Sequence, residues 1–160
     1  KVPLFLNEVI HPFDSILHST SHHFDCAIFR MNAWPTFLNR DIIEIAARKK
    51  EDIEKANYIF TALGWKVKPV PDIPGLISAR VIAMIINEAY YTLQEEVSTK
   101  KEIDIALKLG TNYPFGPFEW SERIGLHNIH QLLVEMSRAD PKYSPCERLT
   151  KETEQQSAWH

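Results

Sequence analysis

The stretch Pro69-Val70-Pro71-Asp72-Ile73-Pro74-Gly75-Leu76 separates two halves of the chain that differ in texture. Its prolines cannot continue a strand ladder or a helix interior, and Gly75 tolerates backbone angles that other residues resist. Upstream, short apolar runs alternate with helix-like pieces. Downstream, no run reads as a strand. The pattern predicts an α/β segment followed by an all-α domain, with the boundary near Asp72: residues 1–71 and residues 72–160.

Upstream of the prolines, residues 2–6, 26–31, 42–46 and 65–70 read as strands, and Pro69 assigns the last to a sheet edge. Residues 12–17 suit a short helix. Residues 50–63 suit a longer one, because Ile53, Ala56, Phe60 and Leu63 fall on one face and Gly64 follows as a left-handed cap. Strands alternating with helices imply a mostly parallel sheet.

Downstream, residues 76–97 read as one long helix, apolar on more than one side. Thr99-Lys100-Lys101-Glu102 has the spacing of a capping box and starts a second helix that Gly110 ends. Residues 111–117 carry too much proline and glycine for regular structure. A third helix holds Trp120 and Ile124, with a break at Gly125. A fourth holds Ile129, Leu132, Leu133 and Met136. The polar tail after Pro141 is expected to fray.

Composition narrows the function classes. The chain has 160 residues, 44% of them hydrophobic, which is enough for a core without cross-links. A net charge of −3 gives no basic surface for nucleic acid. No apolar run approaches the ~20 residues that span a bilayer. Cys26 and Cys146 are too few for a disulfide framework, so a reduced, cytoplasmic protein is expected. His11, His18, His22 and His23 cluster near the start but lack the spacing of a closed zinc site, so no metal is expected. The chain opens on Lys1 and runs directly into an apolar strand, as a piece of a longer protein would.

The residues around the boundary carry a resemblance. Asp72-Ile73-Pro74-Gly75-Leu76-Ile77-Ser78-Ala79-Arg80 resembles the hinge of the 3-hydroxyacyl-CoA dehydrogenase family, where Asp-x-Pro-Gly-Phe-Ile is followed by x-Asn-Arg. Asn87-Glu88-Ala89, the segment from Ser98 through Ala106, and Gly110-Thr111-Asn112-Tyr113-Pro114-Phe115-Gly116-Pro117-Phe118-Glu119 resemble later family motifs in the same order. The resemblance is strong from Asp72 to about Leu133 and weaker before residue 70. It implies the second half of a Rossmann-like nucleotide-binding domain followed by the family's helical domain. It also implies an acyl-CoA substrate, NAD as cofactor of the intact protein, and a homodimer built through the helical domain. Residues 76–97 point to the same assembly, since they carry more apolar surface than one small domain hides.

The family's catalytic groups do not all carry over. There, a histidine after a strand is the general base for the substrate hydroxyl, a glutamate some twelve residues later orients it, and the hinge asparagine holds the substrate. The matching segment here runs Phe29-Arg30-Met31-Asn32-Ala33-Trp34-Pro35 to Asp41-Ile42-Ile43-Glu44. Glu44 matches the glutamate. The base position falls on Phe29 if about three residues are inserted, and on Asn32 with no gap; neither side chain takes a proton. The hinge asparagine corresponds to Ala79. Glu44 is then either a remnant of the catalytic set or a structural carboxylate paired with Arg40 or Arg48. The glycine-rich dinucleotide motif does not occur in the chain, so NAD-binding residues are not assigned.

Three readings follow. The first is a 3-hydroxyacyl-CoA dehydrogenase-like oxidoreductase, of which this chain alone is inactive. The second is a relative without turnover that serves in dimerisation or in binding acyl-CoA or nucleotide. The third moves the base to His22 or His23.

Overall fold

The computed structural model describes residues 1–18 and 25–157. They form two compact units, Lys1–Ala79 and Arg80–His160. The first is α/β and the second is helical.

The first unit holds strands β1 (Leu4–Leu6), β2 (Ile28–Met31), β3 (Ile42–Ala47) and β4 (Lys66–Pro69), in the spatial order β1-β2-β3-β4. Helix α1 (Phe13–His18) follows β1, and α2 (Ile53–Ala62) follows β3. The outer pairs β1–β2 and β3–β4 are parallel, but β2–β3 is antiparallel, so the sheet is mixed where a mostly parallel one was expected. The reason is the connection. Residues 32–41 carry no helix, and a parallel crossover needs roughly a dozen residues or more. β4 lies at an edge, as Pro69 predicts.

Both faces of the sheet are covered. On one, Phe29, Ile43 and Ile45 pack with Ala56 and Phe60 of α2. Phe5 stacks on Phe29 with ring centres 4.8 Å apart. On the other, Ile28 and Ala46 meet Phe13 of α1 and Leu76. Each of the large apolar side chains among them contributes ~1.5–3 kcal/mol on leaving water. The predicted 50–63 helix divides into a 3-10 turn at Lys50–Asp52 and α2 proper, and Gly64 follows at φ +88°.

Arg30, in the middle of β2, is fully buried. Its Nε donates to Glu8 O at 3.0 Å and its Nη2 to Val9 O at 3.1 Å, while Nη1 pairs with the Asp72 carboxylate. The other Asp72 oxygen accepts from Phe13 N at 2.8 Å. Asp72 therefore fastens the connector to α1 and β2, and does not cap the helix that follows.

The second unit is built from α3 (Ser78–Gln94, beginning in the last two residues of the first unit), α4 (Lys100–Thr111), α5 (Pro117–Ile124), α6 (Leu126–Ser137) and α7 (Glu147–Ser157). α3 is shorter than the expected 76–97 because Leu76 and Glu96 adopt left-handed angles, φ +49° and +57°. The Thr99–Glu102 capping box forms as predicted. α4 runs past Gly110 to Thr111, and Asn112, left-handed at φ +55°, ends it instead. Buried Asp104 of α4 accepts Phe118 N at 2.8 Å and Glu119 N at 3.2 Å, which satisfies the first amides of α5. Burial pushes the Asp104 carboxyl above the usual range, and those two amides and Lys108 pull it back.

The segment after Pro141 does not fray within the described residues. Asn87 of α3 donates to Ser144 O at 2.9 Å and accepts from Cys146 N at 2.8 Å. Cys146 and Leu149 are fully buried.

Candidate functional site

β2 and β3 set the geometry of the site. Their register pairs Arg30 with Ala46 and Met31 with Ile45. Continued by one residue, it sets Asn32, just past the end of β2, opposite Glu44. Opposed residues of an antiparallel pair share a face. Asn32 and Glu44 both line a cavity of about 350 Å³, with Phe37, Arg40, Asp41 and Ser78 among its other walls. Phe29, three residues earlier, points to the opposite face and is buried among Phe5, Ile45 and Phe60. Of the two positions that the sequence offered for the base, the structure brings Asn32 to Glu44 and leaves Phe29 in the core. Ala79 is buried.

The Glu44 carboxylate accepts from Ile77 N at 3.1 Å, from Ser78 N at 3.0 and 3.2 Å, and from the Ser78 hydroxyl at 2.7 Å. These amides begin α3 and have no partner within the helix, and an anion suits the positive end of a helix. Neither Arg40 nor Arg48 takes the role that the sequence suggested. Arg40 lies over the Phe37 ring, 4.6 Å from its centre. The sequence reading missed Ser78. No local signal could have found it, because its hydroxyl donates to a carboxylate 34 residues away.

Asn32 is almost fully buried, with 4% of its surface exposed. Its Oδ1 accepts from Trp34 N at 3.2 Å, and its Nδ2 has no hydrogen-bond partner. Thr36 in the same loop also carries an unpartnered buried hydroxyl, and its φ of +79° is one that β-branched residues resist. His22 and His23, the substitutes for the base, lie outside the described residues. Among the described residues, no three His, Cys, Asp or Glu side chains come together as metal ligands, and no helix is long and apolar enough to cross a membrane.

Comparison with known proteins agrees with the fold. The family model described as 3-hydroxyacyl-CoA dehydrogenase, C-terminal domain, matches residues 75–158. The 3-hydroxyadipyl-CoA dehydrogenase of Escherichia coli (strain K12) is 39% identical over 97 residues, 59% of this chain and 20% of that protein. The 3-hydroxybutyryl-CoA dehydrogenase of Bradyrhizobium diazoefficiens is 38% identical over 127 residues, 78% of this chain and 43% of that protein. The chain thus spans less than half the length of these two relatives. The crystal structure of the 3-hydroxybutyryl-CoA dehydrogenase of Escherichia coli K12 superposes with a TM-score of 0.81 at 26% identity, over 99% of this chain and 33% of that one. The (S)-3-hydroxybutyryl-CoA dehydrogenase of Ralstonia eutropha shares the fold with a TM-score of 0.77 at 23% identity, over 93% of this chain and 53% of that one. With its helical half matched to the family's own C-terminal domain, the chain belongs to the 3-hydroxyacyl-CoA dehydrogenase family.

Proposed function

We propose that the protein to which this chain belongs is an NAD-dependent oxidoreductase that interconverts a 3-hydroxyacyl-CoA and its 3-oxoacyl-CoA, and that this chain alone does not turn over. The observation that supports this most is the 38% identity to a 3-hydroxybutyryl-CoA dehydrogenase across 78% of the chain. In this reading residues 1–71 are the last part of a Rossmann-like nucleotide-binding domain and residues 72–160 the helical domain. The free thiols Cys26 and Cys146 fit a reducing, cytoplasmic setting.

NAD would supply the hydride acceptor. The described residues do not fit its pyrophosphate, which needs a glycine turn and free amides at a helix start. The turns before α1 and α2, residues 7–12 and 48–52, carry no glycine. The start of α1 gives Phe13 N to Asp72, and the start of α3 gives Ile77 N and Ser78 N to Glu44.

The chain's own residues hold the substrate end of the site. Glu44 anchors the start of α3, and Asn32 presents an amide that donates but takes no proton at neutral pH. That last property favours a second reading, a relative that binds acyl-CoA without turnover. Oxidation of NADH by the full-length protein with acetoacetyl-CoA, followed at 340 nm, separates the two. Turnover is expected, reduced by about 10²- to 10⁴-fold from that of histidine-bearing relatives. Binding of acetoacetyl-CoA with no NADH consumed would replace the first reading with the second.

A further inference from the structure

The described residues hold two buried side-chain polar atoms without a partner, Asn32 Nδ2 and Thr36 Oγ1. Both lie in the loop 32–41 between β2 and β3. Native proteins leave few such atoms, and an orphan beside a strained backbone is a frequent mark of a ligand site. The second observation is the cavity: Asn32 lines it, with Glu44 opposite and Arg40 among its walls.

The orientation of the Asn32 amide is not free. Trp34 N needs an acceptor, so Oδ1 must face it, and Nδ2 is left as the only polar atom to satisfy. An amide nitrogen donates and cannot accept. The nearby carboxylate of Glu44 is already committed to the start of α3. The cavity that Asn32 lines is where a ligand can bring an acceptor to Nδ2. A carbonyl oxygen fits, since it accepts only. A hydroxyl also accepts, but its own proton then needs a second acceptor.

We propose that Asn32 is a substrate-positioning residue, whose Nδ2 donates a hydrogen bond to a carbonyl oxygen of the acyl thioester. This rests on the acyl-CoA reading above. Two oxygens of such a ligand share the chemistry, the ketone at C3 and the thioester carbonyl.

The test is calorimetric titration of the full-length protein with acetoacetyl-CoA, butyryl-CoA and free CoA, repeated with Asn32→Ala and Asn32→Asp. Asn32→Asp keeps the shape and the bond to Trp34 N but removes the donor, and circular dichroism of both variants shows whether they fold. Both variants are expected to bind acetoacetyl-CoA about 3- to 10-fold more weakly than wild type while binding free CoA unchanged. A loss confined to acetoacetyl-CoA assigns the ketone. A loss on both acyl-CoAs but not on CoA assigns the thioester carbonyl. An equal loss on all three, or no loss on any, overturns the role of Asn32 and leaves the acyl-CoA reading intact. A wild-type protein that binds none of the three removes that reading, and this inference with it.

Discussion

Ser78 gives both its backbone amide and its hydroxyl to one carboxylate, that of Glu44, at 3.0 and 2.7 Å. A carboxylate borne on β3 thus closes the first turn of α3. Glu44→Gln keeps the shape but loses the charge, and hydrogen bonds to a charged group are worth roughly 1.5–3 kcal/mol each against ~1 for neutral ones. We expect Glu44→Gln to destabilise the chain by about 1–3 kcal/mol and Ser78→Ala by about 1 kcal/mol. The double variant should cost less than the sum. Urea unfolding followed by circular dichroism measures all three, and strict additivity would show that the two side chains do not act on each other.

The Asp104 carboxyl occupies the space that a side chain at residue 116 would need. Asp104 cannot move away without releasing Phe118 N and Glu119 N. Gly116→Ala is therefore expected to cost about 2–4 kcal/mol, from overpacking and from lost bonds at the start of α5. A melting temperature within ~2 °C of wild type would contradict this.

His130 on α6 is held below the ordinary imidazole value, first by burial and then by the charge of His127, while Glu154 of α7 opposes them. Its protonation therefore works against the fold. The stability that depends on neutral His130 is fully present above the unfolded value near 6.5 and is lost as pH falls through the depressed folded value. Unfolding midpoints measured from pH 8 to 5 should fall across that window in the wild type and fall less in His130→Gln. Equal slopes in the two proteins would refute the assignment.

Self-association through the second unit is expected. α3 buries Ile82 and Ile86 but leaves Val81 half exposed, with Met84 and Ile85 only partly covered. On α4, Ile105 and Leu109 stand one turn apart and are exposed by 44% and 82%. Sedimentation velocity should show a dimer, and Ile105→Glu with Leu109→Glu, or Met84→Glu with Ile85→Glu, should shift it to monomer. A wild-type monomer at micromolar concentration would rule this out.

Local signals were legible in the sequence. The Thr99–Glu102 capping box and the break at Gly125 depend on residues within a few positions, and both stand where they were expected. Long-range partners were not. A charged residue inside a strand gives no sign that it is buried, yet Arg30 is, because Glu8, Val9 and Asp72 surround it. The polar tail gave no sign of order, because its fixings come from Asn87, 57 and 59 residues away. At the site, an insertion of uncertain length left Phe29 and Asn32 both open. The alternation of the sheet decides which of them shares a face with Glu44, and alternation depends on the register of β2 with β3, which pairing sets and sequence does not.

Thr36 has a consequence for anyone evolving this chain. A β-branched residue held at φ +79° costs of order 1–3 kcal/mol, which glycine or asparagine at the same place largely avoids. A laboratory selection that rewards heat tolerance is therefore expected to replace Thr36 early, and the survivors to be sturdier proteins. Position 36 is where one exchange gains the most robustness for the least change in shape.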